Sequence, residues 1–239
     1  MITYTRIYRN STTGVSSLAS SAFTPDPTKF YVVFGAAQLG SATPNVPTLS
    51  TTTGLSFGSQ QGSQVTTESG NHGRITVFGA NAGTLTSGTV TVSFGGQSQT
   101  QILLHIWELA GASGVLPQVG GGATGSATSL SPTMGAFASP NNGTLAALLV
   151  IGTGLSIVAG TGFTNGLEGG EFDGGTTLGY NSEFMSSNVT ATPFFTWTGS
   201  KAAATLGLEI QATLAPTVQQ LRDAIHIFNK HAINRASRY

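Results

Sequence analysis

Few residues in this 239-residue chain are of types that do chemistry, and their spacing decides what each can contribute. There are four histidines, His72, His105, His226 and His231, and no cysteine, so thiolate nucleophiles, disulfides and cysteine metal sites are all excluded. His105 sits within Gln101-Ile-Leu-Leu-His-Ile-Trp-Glu-Leu-Ala110, a nearly unbroken apolar run between Gly95-Gly96 and Gly111. Such a run reads as a strand covered on both faces, where a histidine is expected to be a hydrogen-bonded core residue rather than a base. Glu108, three residues on, faces the opposite side of a regular strand, so the two form no dyad. Glu108 has a counterpart in Glu209, with Trp107-Glu108-Leu109 answered by Leu208-Glu209-Ile210. Paired carboxylates can do acid–base work, but a carboxylate held by a cation or a backbone N–H is the commoner arrangement.

Two further patterns invite a chemical reading. Gly54-Leu-Ser56-Phe-Gly58 matches the spacing of a nucleophile elbow, which requires a strand followed by a helix. A Ser/Gln-rich stretch without helical period follows it, so a strand with small turn residues is expected there. Glu168, Glu171 and Asp173 form the densest acidic cluster, in a glycine-rich loop, and are a weak candidate Ca²⁺ site because hard oxygen ligands suit that ion. Their spacing is not that of an EF-hand. No phosphate-binding G-x-x-x-x-G-K-[ST] loop and no histidine metal spacing occurs, and no cofactor is expected. Only residues 230–239 approach the basic, aromatic-bearing surface that nucleic acid favours, which argues against such a partner.

The elements that must position these residues are strands. Alternation in Arg74-Ile-Thr-Val-Phe78 and Thr89-Val-Thr-Val-Ser-Phe94, with turn signals every 8–12 residues, predicts an all-β chain of about ten to twelve strands. The order repeats. Phe30-Tyr-Val-Val-Phe34 is answered by residues 144–151, Gly54-Leu-Ser56 by Gly162-Phe-Thr164, and the Arg74 strand by residues 177–185. These matches predict one β-sandwich over 29–215, with halves 29–112 and 126–213 joined by a Gly-rich linker around Gly120-Gly-Gly122. Residues 1–28 read as an extended, Ser/Thr-rich N-terminal arm. After Ala215-Pro216 the period changes: Thr217 to Gln220 fits a capping box, and Val218, Leu221, Ile225, Phe228 and Ala232 form one apolar stripe. Residues 216–239 are therefore expected to be an amphipathic helix with a basic tail, docked either on its own sandwich or on a neighbouring subunit.

Charged residues make up 8% of the chain and sum to zero, but unevenly. The first ten residues carry Arg6 and Arg9. The last 24 carry Arg222, Lys230, Arg235 and Arg238 against Asp223, and the body between is acidic. Basic ends on an acidic body suit contact with a neighbouring copy or another acidic surface, and equally suit the solubility of a weakly charged protein. The N-terminal residues lack the apolar core of a signal peptide, and the longest apolar run, 145–151, is far too short to span a bilayer, so synthesis in the cytoplasm and no membrane partner are expected.

The strand order, with its Gly-Leu-Ser-Phe, Gly-Thr-Val-Thr-Val-Ser-Phe and Ile-Trp-Glu-Leu-Ala-Gly segments, resembles the jelly-roll, concanavalin-like β-sandwich modules found among structural proteins of tailed bacteriophages. The resemblance covers about residues 29–213 and is one of style and strand order. It implies a non-enzymatic virion protein, either a capsid decoration or cement protein or a tail or fibre component. Its implied partners are other copies of itself and another capsid or tail protein. The residues expected to make those contacts lie outside the resemblance: Arg6 and Arg9 in the arm, and Val218, Leu221, Arg222, Ile225, Phe228, Lys230, Arg235 and Arg238 in the tail. The concanavalin likeness adds a different class, a carbohydrate-binding module contacting host glycans through exposed aromatics such as Tyr180, Phe184 or Trp197.

Overall fold

The structure is a computed structural model that describes residues 1–82, 86–152, 155–165, 172–173, 178–186, 192–213 and 222. The first half of the chain forms β1 (Thr3–Thr12), β2 (Ser17–Ala19), β3 (Phe30–Gly40), β4 (Thr48–Thr51), β5 (Leu55–Phe57), β6 (Gly62–Glu68), β7 (Asn71–Ala82), β8 (Val90–Ser93) and β9 (Gln101–Ala110). The second half forms β10 (Gln118–Leu130), β11 (Gly143–Ile151), β12 (Ile157–Ala159), β13 (Thr164–Asn165), β14 (Phe172–Asp173), β15 (Leu178–Met185) and β16 (Phe195–Ile210). The described residues are nearly all β, as expected, and every strand pairing between these elements is antiparallel.

Each half contributes one large sheet. The first is ordered β1-β9-β3-β7-β5, with β6 also on β7. The second is ordered β10-β16-β11-β15-β13, with β12 on β16 and β14 on β15. The two orders are the same: an edge strand, the last strand of the half, the long apolar strand, then the strand that comes after three intervening ones in the chain. Inner faces meet in a shared core, where Phe34, Ile75 and Leu103 of one sheet join Leu149, Tyr180 and Leu206 of the other. Outer faces are covered too. Tyr31, Val33, Leu104 and Ile106 lie under Val90, Val92 and Leu49, because β2, β8 and β4 form a separate three-stranded sheet. On the other side Ala146, Leu148 and Val150 lie under Ile157, Phe195 and Trp197. Burial on both faces is why β3, β9 and β11 are apolar without alternation.

The ends of the two halves differ from the sequence reading. Residues 1–28, expected as an extended arm, are extended but built into the sheets: β1 pairs with β9 from Thr3↔Ala110 to Thr12↔Ile102, and β2 pairs with β8. Ile2 is fully buried, and Tyr4 packs against the shared core and donates its hydroxyl to the Met185 carbonyl. No residue of β1 is fully buried: Tyr4 packs on the shared core while Ile7 and Tyr8 pack on the outer cluster, so a Ser/Thr-rich sequence suffices at this edge. The glycine-rich linker is likewise largely strand, because β10 begins at Gln118 and pairs along β16. Gly120 and Gly122 stand there because the carbonyls of Thr133 and Ser131 come too close for a Cβ at either position. The helix expected over 216–239 lies outside the described residues except for Arg222, which is exposed.

Candidate functional site

The two echoing glutamates occupy the same place in their sheets. Glu108 stands opposite Tyr31 on β3 and Thr5 on β1; Glu209 stands opposite Thr144 on β11 and Gln118 on β10. Both point to the outer face, away from the shared core. Each carboxylate fastens the segment that leads into the long apolar strand of its half. Glu108 accepts from Tyr31 Oη at 2.6 Å and from Lys29 Nζ at 3.0 Å, while Tyr31 Oη also accepts from the Asp26 N–H at 2.7 Å. The Lys29 ammonium is pushed above its ordinary pKa chiefly by the hydrogen bond to Glu108. Burial, reinforced by that carboxylate, raises the Tyr31 hydroxyl as well. Glu209 accepts from Asn142 Nδ2 at 2.6 Å, the Ala138 N–H at 2.7 Å and Gln118 Nε2 at 2.9 Å. Asn142 Oδ1 in turn accepts from the Ala212 N–H at 3.1 Å.

His105 is a core residue, as the run around it implied. It is fully buried and projects to the inner face beside Leu103 and Trp107. Its Nδ1 lies 3.1 Å from the Tyr180 hydroxyl of the facing sheet. Burial, then the positive charges of Arg9 and Arg6, hold its pKa well below the ordinary histidine value, so the ring is neutral. Arg6 and Arg9 lie on β1 opposite Trp107 and His105, so they belong to the sheet edge rather than to a projecting arm.

One strongly perturbed carboxyl was not singled out by the sequence. Glu183 on β15 is fully buried, and burial raises its pKa to about 7 against the opposing pull of two backbone bonds. Its Oε2 accepts from the Gly160 N–H and its Oε1 from the Phe194 N–H, each at 2.7 Å. Asn181, two residues away on the same outward row, donates to the Ile157 carbonyl at 3.1 Å. The pair pins β12 and the start of β16 onto the outer face of the second sheet. The polar run Asn181-Ser-Glu183 inside an otherwise apolar strand is the signal that marks it.

Ser56 and Gly58 of the G-x-S-x-G pattern border a cleft of about 220 Å³ with Gln61, Asn81 and Gly114. Ser56 lies in β5 at a sheet edge rather than at a strand-to-helix turn, and no histidine or carboxylate among the described residues lines this cleft. The aromatics expected to meet glycans do not face solvent: Tyr180 is fully buried, Trp197 is 5% exposed, and Phe184 packs on the shared core against Tyr4 at 4.6 Å. That expectation is overturned, because both faces of the second sheet are covered. Of the Ca²⁺ candidates, Glu168 and Glu171 lie outside the described residues, and Asp173 is described only by its backbone in β14. No group of three or more metal-ligating side chains converges among the described residues. Val218, Leu221, Ile225, Phe228, Lys230, Arg235 and Arg238 also lie outside them. Neither a protein-family model nor a curated protein matches this chain.

Proposed function

We propose that this chain is a non-enzymatic structural protein of a tailed-phage particle: a jelly-roll-like sandwich of two similar halves that decorates or cements the head surface through a C-terminal helix. One observation carries the reading. Every acid whose side chain is described, Asp26, Glu68, Glu108, Glu183 and Glu209, is engaged in fastening its own chain. Side chains that would otherwise supply acid, base or metal ligand are committed to holding loops and sheets together. A rigid body with two covered sheets and a weakly charged, Ser/Thr-rich surface suits a shell component exposed to solvent.

Of the two segments expected to reach neighbours, the C-terminal one bears the proposal. Residues 1–12 engage their own first sheet, whereas the stripe Val218, Leu221, Ile225 and Phe228 needs an apolar surface to dock on, and Arg222, Lys230, Arg235 and Arg238 favour an acidic one. The partner is another virion protein or a second copy.

Two measurements test this. Gradient-purified particles from the host that carries the gene should contain the chain in many copies by quantitative mass spectrometry; its absence from them sinks the virion reading. A 1–215 truncation should keep the β signature in circular dichroism while losing particle association. Retained association would remove the helix as the attachment segment.

A further inference from the structure

We propose that the core between the two sheets holds a structural water molecule, bound by His105, Trp107 and Ser182. Three buried polar atoms there have no partner among the described residues: His105 Nε2, Trp107 Nε1 and Ser182 Oγ. His105 and Trp107 are alternate residues of β9 on its inner face, with rings 4.9 Å apart. Tyr180, Ser182 and Phe184 are the corresponding inward row of β15. His105 meets Tyr180 at 5.6 Å between rings, and Trp107 meets Phe184 at 5.7 Å. Ser182 lies between those two aromatics on its strand, so it faces the interval between His105 and Trp107. Three orphaned groups from two sheets therefore address one small region.

The chemistry selects the ligand. The indole N–H can only donate, and the serine hydroxyl donates or accepts. Nδ1 of the neutral His105 faces the Tyr180 hydroxyl, so Nε2 is an acceptor if Nδ1–H donates and a donor if the tyrosine does. Water, with two donor and two acceptor sites, satisfies the set in either tautomer. Internal waters in proteins typically make about three hydrogen bonds, the number of orphaned groups here. A metal cation is disfavoured, because the indole N–H and the Arg6 and Arg9 charges that reach His105 both oppose it. Leaving three such groups unsatisfied would carry the full desolvation penalty of each, which one bridging molecule offsets.

Trp197 supplies an internal control. Its Nε1 is also buried and without a partner among the described residues, but it sits in the outer cluster with Leu155, Ile157 and Phe195, where no second orphaned side chain among those residues accompanies it. In full-length protein labelled with ¹⁵N-tryptophan, the Trp107 indole should show a long-lived cross-relaxation peak to water and the Trp197 indole none. Ser182→Ala, nearly isosteric, should weaken the Trp107 peak at least twofold with an unchanged fold spectrum. Trp107→Phe should reduce the oxygen-17 relaxation dispersion of the solvent by one long-lived water. A Trp107 indole without a water peak in folded protein overturns the proposal. So does an indole shift that titrates with chloride, which would assign an anion, and so does a dispersion unchanged by Trp107→Phe.

Discussion

The two halves share a strand order and a glutamate at the same register, yet they cover their outer faces differently. The first sheet lies under an independent three-stranded sheet, β2-β8-β4, whose pairing is all backbone to backbone. The second lies under β12 and the first residues of β16, a strand that runs through Gly199 at φ 77° and continues into the sheet beneath. In the first half the equivalent segments are separated by Gly95-Gly96, both with positive φ, so β8 and β9 are distinct strands. The first cover adds hydroxyls to its strand pairing: Ser20 Oγ accepts from the Val90 N–H and Tyr8 Oη donates to the Ala19 carbonyl. The second, with only short paired segments, is held by a buried carboxyl and amide, Glu183 and Asn181.

The comparison can be broken most forcefully at Glu209. It is 1% exposed and holds three donors, so Glu209→Ala should cost about 3 kcal/mol and be read as a fall in the thermal midpoint. A cost no larger than that of Glu108→Ala would remove the contrast between a buried and a rim fastening.

The cover of the second sheet should respond to pH through Glu183. Its carboxyl binds a proton more tightly in the fold than in the unfolded chain, because burial raises its pKa from 4.5 to about 7. Its contribution is therefore fully present below about pH 4.5 and is lost as pH rises through about 7. The change amounts to about 3 kcal/mol over that window. Denaturant titrations between pH 4.5 and 8 should show this fall in the native protein and a flatter profile in Glu183→Gln. Equal slopes in the two would mean that another group titrates.

Smaller effects sharpen the rest. Glu108→Ala should cost about 1–2 kcal/mol, since the partly exposed Lys29 regains water once released and the Tyr31 hydroxyl keeps its bond from the Asp26 N–H. The contact between halves through Lys201 and Glu68, at 3.3 Å and more than a third exposed on the lysine, should contribute under about 1 kcal/mol, so Lys201→Met should barely shift the midpoint. Any larger loss would show that the salt bridge, rather than the shared apolar core, joins the sheets.

What could be read in advance follows from how each residue is surrounded. The runs at β3, β9 and β11 were legible because burial on both faces removes polar residues from both rows. The echo of Glu108 in Glu209 was legible because the flanking apolar residues repeat with it. β10 was not, since its glycines answer to carbonyls of residues 131–133 that approach only in the fold. β1 was not legible as a strand because an edge strand with no fully buried residue keeps a polar composition. Tyr180 and Trp197 read as exposed because nothing local announces the layer that covers each, and Glu183 is not singled out because its partners are backbone N–H groups 11 and 23 residues away.

That each half builds a whole sheet has a consequence for synthesis. The first sheet closes only when β9 inserts between β1 and β3, pairing Thr3 with Ala110, so the ribosome must deliver about half the chain before its long-range hydrogen bonds form. From then until β11, β15 and β16 emerge, Phe34, Ile75, Leu103 and Trp107 present an apolar face with nothing opposite it. The nascent chain thus passes through a stage with a finished sheet and half a core, which is when it is most open to a chaperone or to another unfinished copy of itself.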